Sequence, residues 1–183
     1  MWEAKLVPNV ISYSAGISAC EKGGQWQRAL ALLTEMSEAK LVPCVIGYSA
    51  GISACEKGGQ WQPALALLSE MREAKLEPDI IGYNAGVSAC EKGGQWQRAL
   101  ALLSEMREAK LEPDIISYSA GISACENGGQ WQHAVSMLRT MRLRKLDVDF
   151  MLYGAAASMC EQGGQGSHAR SLFEEVRDFV TGE

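Results

Sequence analysis

The sequence predicts an all-α fold: an α-solenoid (superhelix) of tandem helix-turn-helix hairpins. Three observations predict it. Tyrosine recurs at Tyr13, Tyr48, Tyr83, Tyr118 and Tyr153, a constant step of 35 residues, and cysteine keeps that step at Cys20, Cys55, Cys90, Cys125 and Cys160. Segments 9–43 and 79–113 differ at only 8 of 35 positions, so the period marks a tandem repeat. Within each period the apolar residues follow a helical spacing twice, with Gly-Gly between the two stretches, and proline keeps the same step at Pro8, Pro43, Pro78 and Pro113, with Val148 in the fifth place. One hairpin of this size cannot bury its own apolar stripe, so neighbouring hairpins must stack into a continuous core.

The first helix of the first unit is expected from Val10 to Glu21. Tyr13, Ile17 and Cys20 share one apolar face at i, i+4 and i+7, while Ile11, Ser14 and Ser18 form an opposite face that is small and mostly polar. Gly23-Gly24 stops this helix, because glycine accepts the left-handed conformation that closes a helix. The second helix begins near Gln25 or Trp26, with Trp26, Ala29, Leu30, Leu33 and Met36 on a 3.6-residue period. In that register Trp26, Trp61, Trp96 and Trp131 face the hairpin partner as core residues, and Trp2 falls outside it. Pro63 sits in a first turn, where no intrahelical donor is lost. Lys40-Leu41-Val42-Pro43 ends the second helix, since the residue before proline is pushed out of the α region.

This register divides the chain into a tail of a truncated repeat at 1–9, repeats at 10–44, 45–79, 80–114 and 115–149, and a divergent capping repeat at 150–183. Met1–Pro8 aligns with Met36–Pro43, so the chain is expected to open inside a longer array. In the last unit Gly166 replaces the tryptophan, and Arg170, Glu174 and Glu175 make the helix more polar, as a terminal cap requires.

Composition narrows the function classes. With 183 residues, 47% hydrophobic and 21% charged, the chain can bury a core and is not expected to be disordered. Its 19 glycines show no three-residue period, which excludes a collagen-like rod. No apolar run approaches the roughly 18 residues of a membrane span. The start, Met1-Trp2-Glu3-Ala4-Lys5, reads as neither a signal nor a transit peptide, so a soluble chain without a membrane partner is expected. A net charge of −5 argues against strong, purely electrostatic binding to nucleic acid.

Chemistry-bearing constellations are few. Five of the six cysteines repeat on one helical face, Cys44 sits alone in a loop, and only His133 and His168 could join them as soft ligands. No CxxC pair exists, so buried free cysteine in a reducing compartment is expected, with no metal. There is no plausible nucleophile–base pair and no phosphate-binding glycine loop; the Gly-Gly-Gln turn repeats five times, as a structural turn would. The expectation is a protein that is not an enzyme, with no cofactor and no small-molecule substrate. The varied positions are more informative. The residue after each tyrosine is Ser14, Ser49, Asn84, Ser119 and Gly154. Asn9, Cys44, Asp79 and Asp114 follow the prolines, with Asp149 in the fifth place. Helix capping and close packing explain these sets as well as ligand contact does, and periodicity alone leaves both readings open.

The 35-residue period, with residues 78–96 (PDIIGYNAGVSACEKGGQW) followed by ALALLSEM at 99–106, resembles the pentatricopeptide repeat. The likeness runs over nearly the whole chain. It implies a right-handed superhelix whose first helices line the concave side and which binds single-stranded RNA, one base per repeat, in a chloroplast or mitochondrion. It implies that the residue after each tyrosine works with the last residue of its repeat. Ser49 with Asp79 and Ser119 with Asp149 would then read guanine, Asn84 with Asp114 would read uracil, and Ser14 with Cys44 departs from the usual pairings. Gly154 would read nothing. By the same resemblance Ile11, Ile46, Ile81 and Ile116 wedge between bases, and Lys22, Lys57 and Lys92 approach phosphate, a charge that Asn127 and Gln162 lack. RNA processing, stability or translation would be the process served. The alternative is a protein–protein scaffold holding a peptide in the concave groove.

Overall fold

The structure, a computed structural model, describes residues 9–181. Over them the chain is an all-α helical-repeat solenoid, with no strand among the described residues. Its hairpins are α1 (Val10–Lys22) with α2 (Trp26–Glu38), α3 (Val45–Lys57) with α4 (Trp61–Glu73), α5 (Ile80–Lys92) with α6 (Trp96–Glu108), α7 (Ile115–Asn127) with α8 (Trp131–Leu143), and α9 (Phe150–Gln162) with α10 (Gly166–Thr181). The expected tail of an earlier repeat and Trp2 lie outside the described residues. Among those residues no helix is long and apolar enough to cross a membrane.

The chain forms two compact units, Met1–Ala89 and Cys90–Glu183. In the first, α1 packs on α2 and α3, and α3 also packs on α2 and α4. Ile17, Met36, Ile52, Leu68 and Met71 fill its core. In the second, α7 packs on α6, α8 and α9, while α9 also holds α8 and α10. Met106, Tyr118, Ile122, Leu138 and Met141 fill that core. The periodic cysteines are buried and free, one per first helix. Burial pushes the thiols of Cys55, Cys90 and Cys125 up to about 11, so they remain protonated small hydrophobes at neutral pH.

The two glycines of each inner turn have separate jobs. Only the second adopts a left-handed conformation: φ is +64° at Gly24, +66° at Gly59 and Gly94, +64° at Gly129 and +70° at Gly164. Gly24 N–H donates to Glu21 O (3.2 Å) and Gln25 N–H to Cys20 O (2.9 Å), the two bonds that close a helix through a left-handed residue. The first glycine instead makes room. A Cβ on Gly58 would lie 2.3 Å from Trp26 Cδ1, and one on Gly128 would lie 2.3 Å from Trp96 Cδ1. The half-buried indole therefore lies on the turn of the following hairpin. Beyond the core role expected for it, this contact makes the tryptophan a stacking element between successive hairpins.

The second helices also end differently from expectation. They stop at Glu38, Glu73 and Glu108, ahead of any influence from the following proline, and at Leu143, which no proline follows. A left-handed lysine closes each one: Lys40, Lys75, Lys110 and Lys145 have φ between 56° and 59°. Lys40 N–H donates to Ser37 O and Leu41 N–H to Met36 O, both at 2.9 Å. The hydrogen-bond pattern is that of the glycine closures, but a lysine must bear the left-handed strain, on the order of 1 kcal/mol.

Candidate functional site

The first turns of the first helices carry two features at the 35-residue step. One is a ladder of exposed aliphatic side chains. Ile11, Ile46, Ile81 and Ile116 are 77%, 67%, 59% and 61% exposed, although each belongs to a helix whose other face is core. Met151 extends the ladder at 76% exposure. Sequence reasoning missed Met151, yet the step from Ile116 points straight to it. An apolar side chain held this far into solvent in every hairpin gains nothing from folding.

The other feature is the set of polar positions after the tyrosines and at the helix starts. Asn9, Asp79, Asp114 and Asp149 cap the first helices that they precede, so the capping reading is realised there, whereas Cys44 makes no side-chain cap bond to α3. Asn9 Oδ1 accepts from Ser12 N–H at 2.9 Å, Asp79 Oδ1 from Gly82 N–H at 2.8 Å, and Asp149 Oδ1 from Met151 N–H at 3.3 Å. Asp114 forms a full capping box: its Oδ1 accepts from Ser117 N–H and Oγ–H (each 2.9 Å), and its own N–H donates to Ser117 Oγ (3.1 Å).

Two of the expected pairs assemble across successive hairpins. Ser49 Oγ donates to Asp79 Oδ1 at 2.8 Å, so this one carboxylate oxygen serves both its helix cap and the serine 30 residues upstream. Ser14 Oγ meets Cys44 Sγ at 3.5 Å. Burial raises the Cys44 thiol, but the Ser14 hydroxyl and the backbone amides of Gly47 and Ile46 outweigh it and leave the thiol below its ordinary value. Both serines are buried, as the close-packing reading of this position expects. Asn84 is half-buried on α5, and Asp114 starts α7.

The Ser119–Asp149 pair does not assemble. Ser119 Oγ donates back to Ile115 O at 2.7 Å within α7, and Asp149 is turned to the amide of Met151. The pairing expected of Ser119 with Asp149 is thus absent as a direct contact. Gly154 is exposed and contributes no side chain.

The lysine series divides as well. Lys57 forms an ion pair with the Glu21 carboxylate, and its Nζ also lies 3.4 Å from Glu21 O. Asn127 Nδ2 donates to Glu91 O at 3.2 Å, the same relation without the charge. This position ties successive first helices together, and at Lys57 a carboxylate already partners the cation. Lys22 and Lys92 are exposed at the ends of α1 and α5. No group of three or more His, Cys, Asp or Glu side chains among the described residues is placed to hold a metal ion.

Comparison with family models matches the pentatricopeptide repeat domain over residues 1–58 and 66–128, and the PPR repeat over 48–76 and 116–146. The chain belongs to the pentatricopeptide repeat family. No curated protein matches it. Among solved structures it is similar to the pentatricopeptide repeat protein PPR10 from maize, at 25% identity and a TM-score of 0.69, covering 96% of this chain and 25% of that one. The chain therefore spans about a quarter of that protein's length. It is also similar to the PPR domain of Arabidopsis thaliana protein-only RNase P 1, solved in complex with tRNA, at 15% identity and a TM-score of 0.81, covering 91% and 88% of the two chains. A third similar structure is PPR10 in complex with an 18-nt psaJ RNA element, at 20% identity and a TM-score of 0.57, covering 96% of this chain and 30% of that one. In each repeat of this pentatricopeptide repeat chain the exposed aliphatic residue is the second of the first helix and the polar residue after the tyrosine is the fifth.

Proposed function

We propose that this chain binds single-stranded RNA, using the first turns of its first helices as the recognition surface. The observation that carries this reading is the exposed ladder Ile11, Ile46, Ile81, Ile116 and Met151 at a constant 35-residue step. One exposed aliphatic side chain in each repeat suits the apolar faces that unstacked bases present. The neighbouring polar pairs supply edge contacts. Ser49 with Asp79 offers acceptors to guanine, and Asn84, with a donor and an acceptor, suits uracil, in the combination with Asp114 that the family resemblance implies. Similar structures solved in complex with tRNA and with an RNA element support the same reading. One base per repeat, and service in chloroplast or mitochondrial RNA processing, stability or translation, extend it.

Binding by this chain alone is weak. About four bases at roughly 1–2 kcal/mol each give about 4–8 kcal/mol. That sum corresponds to a Kd no tighter than about micromolar. The ion pair of Lys57 with Glu21 removes one cation from the attraction for phosphate.

The test is fluorescence anisotropy at low salt with a short RNA carrying a G-U-G core, a scrambled RNA and the matching DNA. Preferential binding of the G-U-G probe, lost as salt rises through counterion release, is the expected result. No RNA binding at high micromolar protein of confirmed helicity overturns it and leaves a protein scaffold with a peptide in the groove.

A further inference from the structure

The third residue of each first helix is Ser12, Gly47, Gly82, Ser117 or Leu152, and in the three pairs that start from a serine this position tracks whether the pair is joined. In α5 the residue is Gly82. Its N–H donates to Asp79 Oδ1, and Ser49 Oγ reaches the same oxygen through the space a side chain would take. A Cβ on Gly82 would lie 3.3 Å from Ser49 Oγ and 3.4 Å from Asp79 Oδ1, tight contacts that the pair would have to relieve. Gly47 repeats the arrangement: a Cβ there would lie 3.2 Å from Ser14 Oγ, the hydroxyl that meets Cys44.

Where the third residue has a side chain, the cap changes. Ser117 places its own hydroxyl on Asp114 Oδ1 at 2.9 Å. With Leu152 in that place, Asp149 caps Met151 N–H instead, and Ser119 falls back on Ile115 O. Glycine thus leaves a notch for the upstream serine, serine competes for the carboxylate oxygen, and leucine accompanies a separated pair.

We propose that this third residue is a positioning residue that decides whether the upstream serine is locked onto the downstream aspartate, and so whether the pair discriminates between bases. The proposal rests on the RNA reading above. A locked pair spends the serine proton on Asp79 and presents two adjacent acceptors, a serine lone pair and the second carboxylate oxygen. Guanine offers two adjacent donors on its Watson–Crick edge, and the other bases do not. Ser119 and Asp149, held on separate backbone groups, present no such array.

The experiment uses the full chain with Gly82→Leu, Leu152→Gly and Ser49→Ala, each checked for helicity and thermal midpoint. The G-U-G probe is varied one base at a time, and the base whose replacement loses its effect in Ser49→Ala is the one read at Ser49. Replacing that guanine weakens wild-type binding roughly fivefold, the equivalent of one net hydrogen bond, while replacing the other guanine changes it little. Gly82→Leu erases the penalty at the Ser49 base, and Leu152→Gly creates one at the other. A penalty that survives in Gly82→Leu, or fails to arise in folded Leu152→Gly, overturns the proposal. So does a crystal structure of Gly82→Leu that retains the Ser49–Asp79 bond. A wild-type chain that binds no RNA rejects the RNA reading and the base-discrimination half with it. Crystal structures of the two variants then decide the positioning half by whether the serine–aspartate bond breaks and forms as expected.

Discussion

The second and fourth repeats carry the same serine and the same aspartate 30 residues apart, yet one pair is joined and the other is not. Their first helices are nearly identical, VIGYSAGISACEK against IISYSAGISACEN. The difference lies just downstream of each pair, where Ile80-Ile81-Gly82 corresponds to Phe150-Met151-Leu152. A hydrogen bond between hairpins is thus set by the backbone access that the next helix allows as much as by the two residues that make it. Naming the pair does not specify its geometry.

The comparison holds only if the cores beneath the two pairs are alike. Leu68 and Leu138 occupy equivalent positions, and both are almost wholly buried. Leu68→Ala and Leu138→Ala should each cost about 2–5 kcal/mol by denaturant unfolding, with similar values in the two repeats. A negligible cost at either site would mean that the repeats differ in packing as well as in polar contacts. The buried thiols extend the check to pH. Cys55 and Cys125 are both raised to about 11 from 9.0, so the unfolded chain releases these protons first. Stability should hold below pH 9 and fall between pH 9 and 11, and Cys55→Ala and Cys125→Ala should flatten that slope equally.

The stacking turns give the next, smaller test. A Cβ at Gly58 or Gly128 would run into an indole, so alanine there should cost about 1–3 kcal/mol through overpacking. Gly59 and Gly129 have open space beside them, and alanine should cost only the left-handed strain, about 1–2 kcal/mol. Thermal midpoints of the four variants distinguish the two glycines of one turn. If Gly58→Ala behaves like Gly59→Ala, the indole is not fixed on the turn.

How much was legible follows from what repeats. The helix register, the Gly-Gly turns, the buried cysteines and the exposed isoleucines all follow from a 35-residue period combined with a 3.6-residue one. Three features were not legible. The placement of Trp26 over Gly58 depends on how successive hairpins stack, which the pattern within one hairpin does not encode. Left-handed lysines at 40, 75, 110 and 145 are hidden because lysine is an ordinary helix residue and, at the first three, the nearby proline offers a competing stop signal. The separation of Ser119 from Asp149 is hidden because both residues match the pattern perfectly. The lysines yield a prediction that treats both repeats alike: Lys75→Gly and Lys145→Gly should each stabilise the chain by about 0.5–1 kcal/mol, the relief of strain less the greater freedom of the unfolded chain.

The smallest effect addresses the comparison most directly. Ser49→Ala removes a buried hydroxyl that donates to Asp79, a loss of about 1 kcal/mol, while alanine's helix propensity returns about 0.5 kcal/mol. Ser119→Ala gains the same propensity term, but the bond it removes only folds back on Ile115 O within the same helix. Such back-bonding contributes little and tends to bend the helix, so Ser119→Ala should be neutral or stabilising by about 0.5 kcal/mol. The propensity term is common to both variants, so the gap of about 1 kcal/mol between them isolates the bond to Asp79. Urea midpoints at unchanged m-value measure that gap. Equal midpoints would mean that the Ser49–Asp79 bond adds nothing to the fold. A larger loss in Ser119→Ala would reverse the comparison, making the fourth repeat the one with the structural serine.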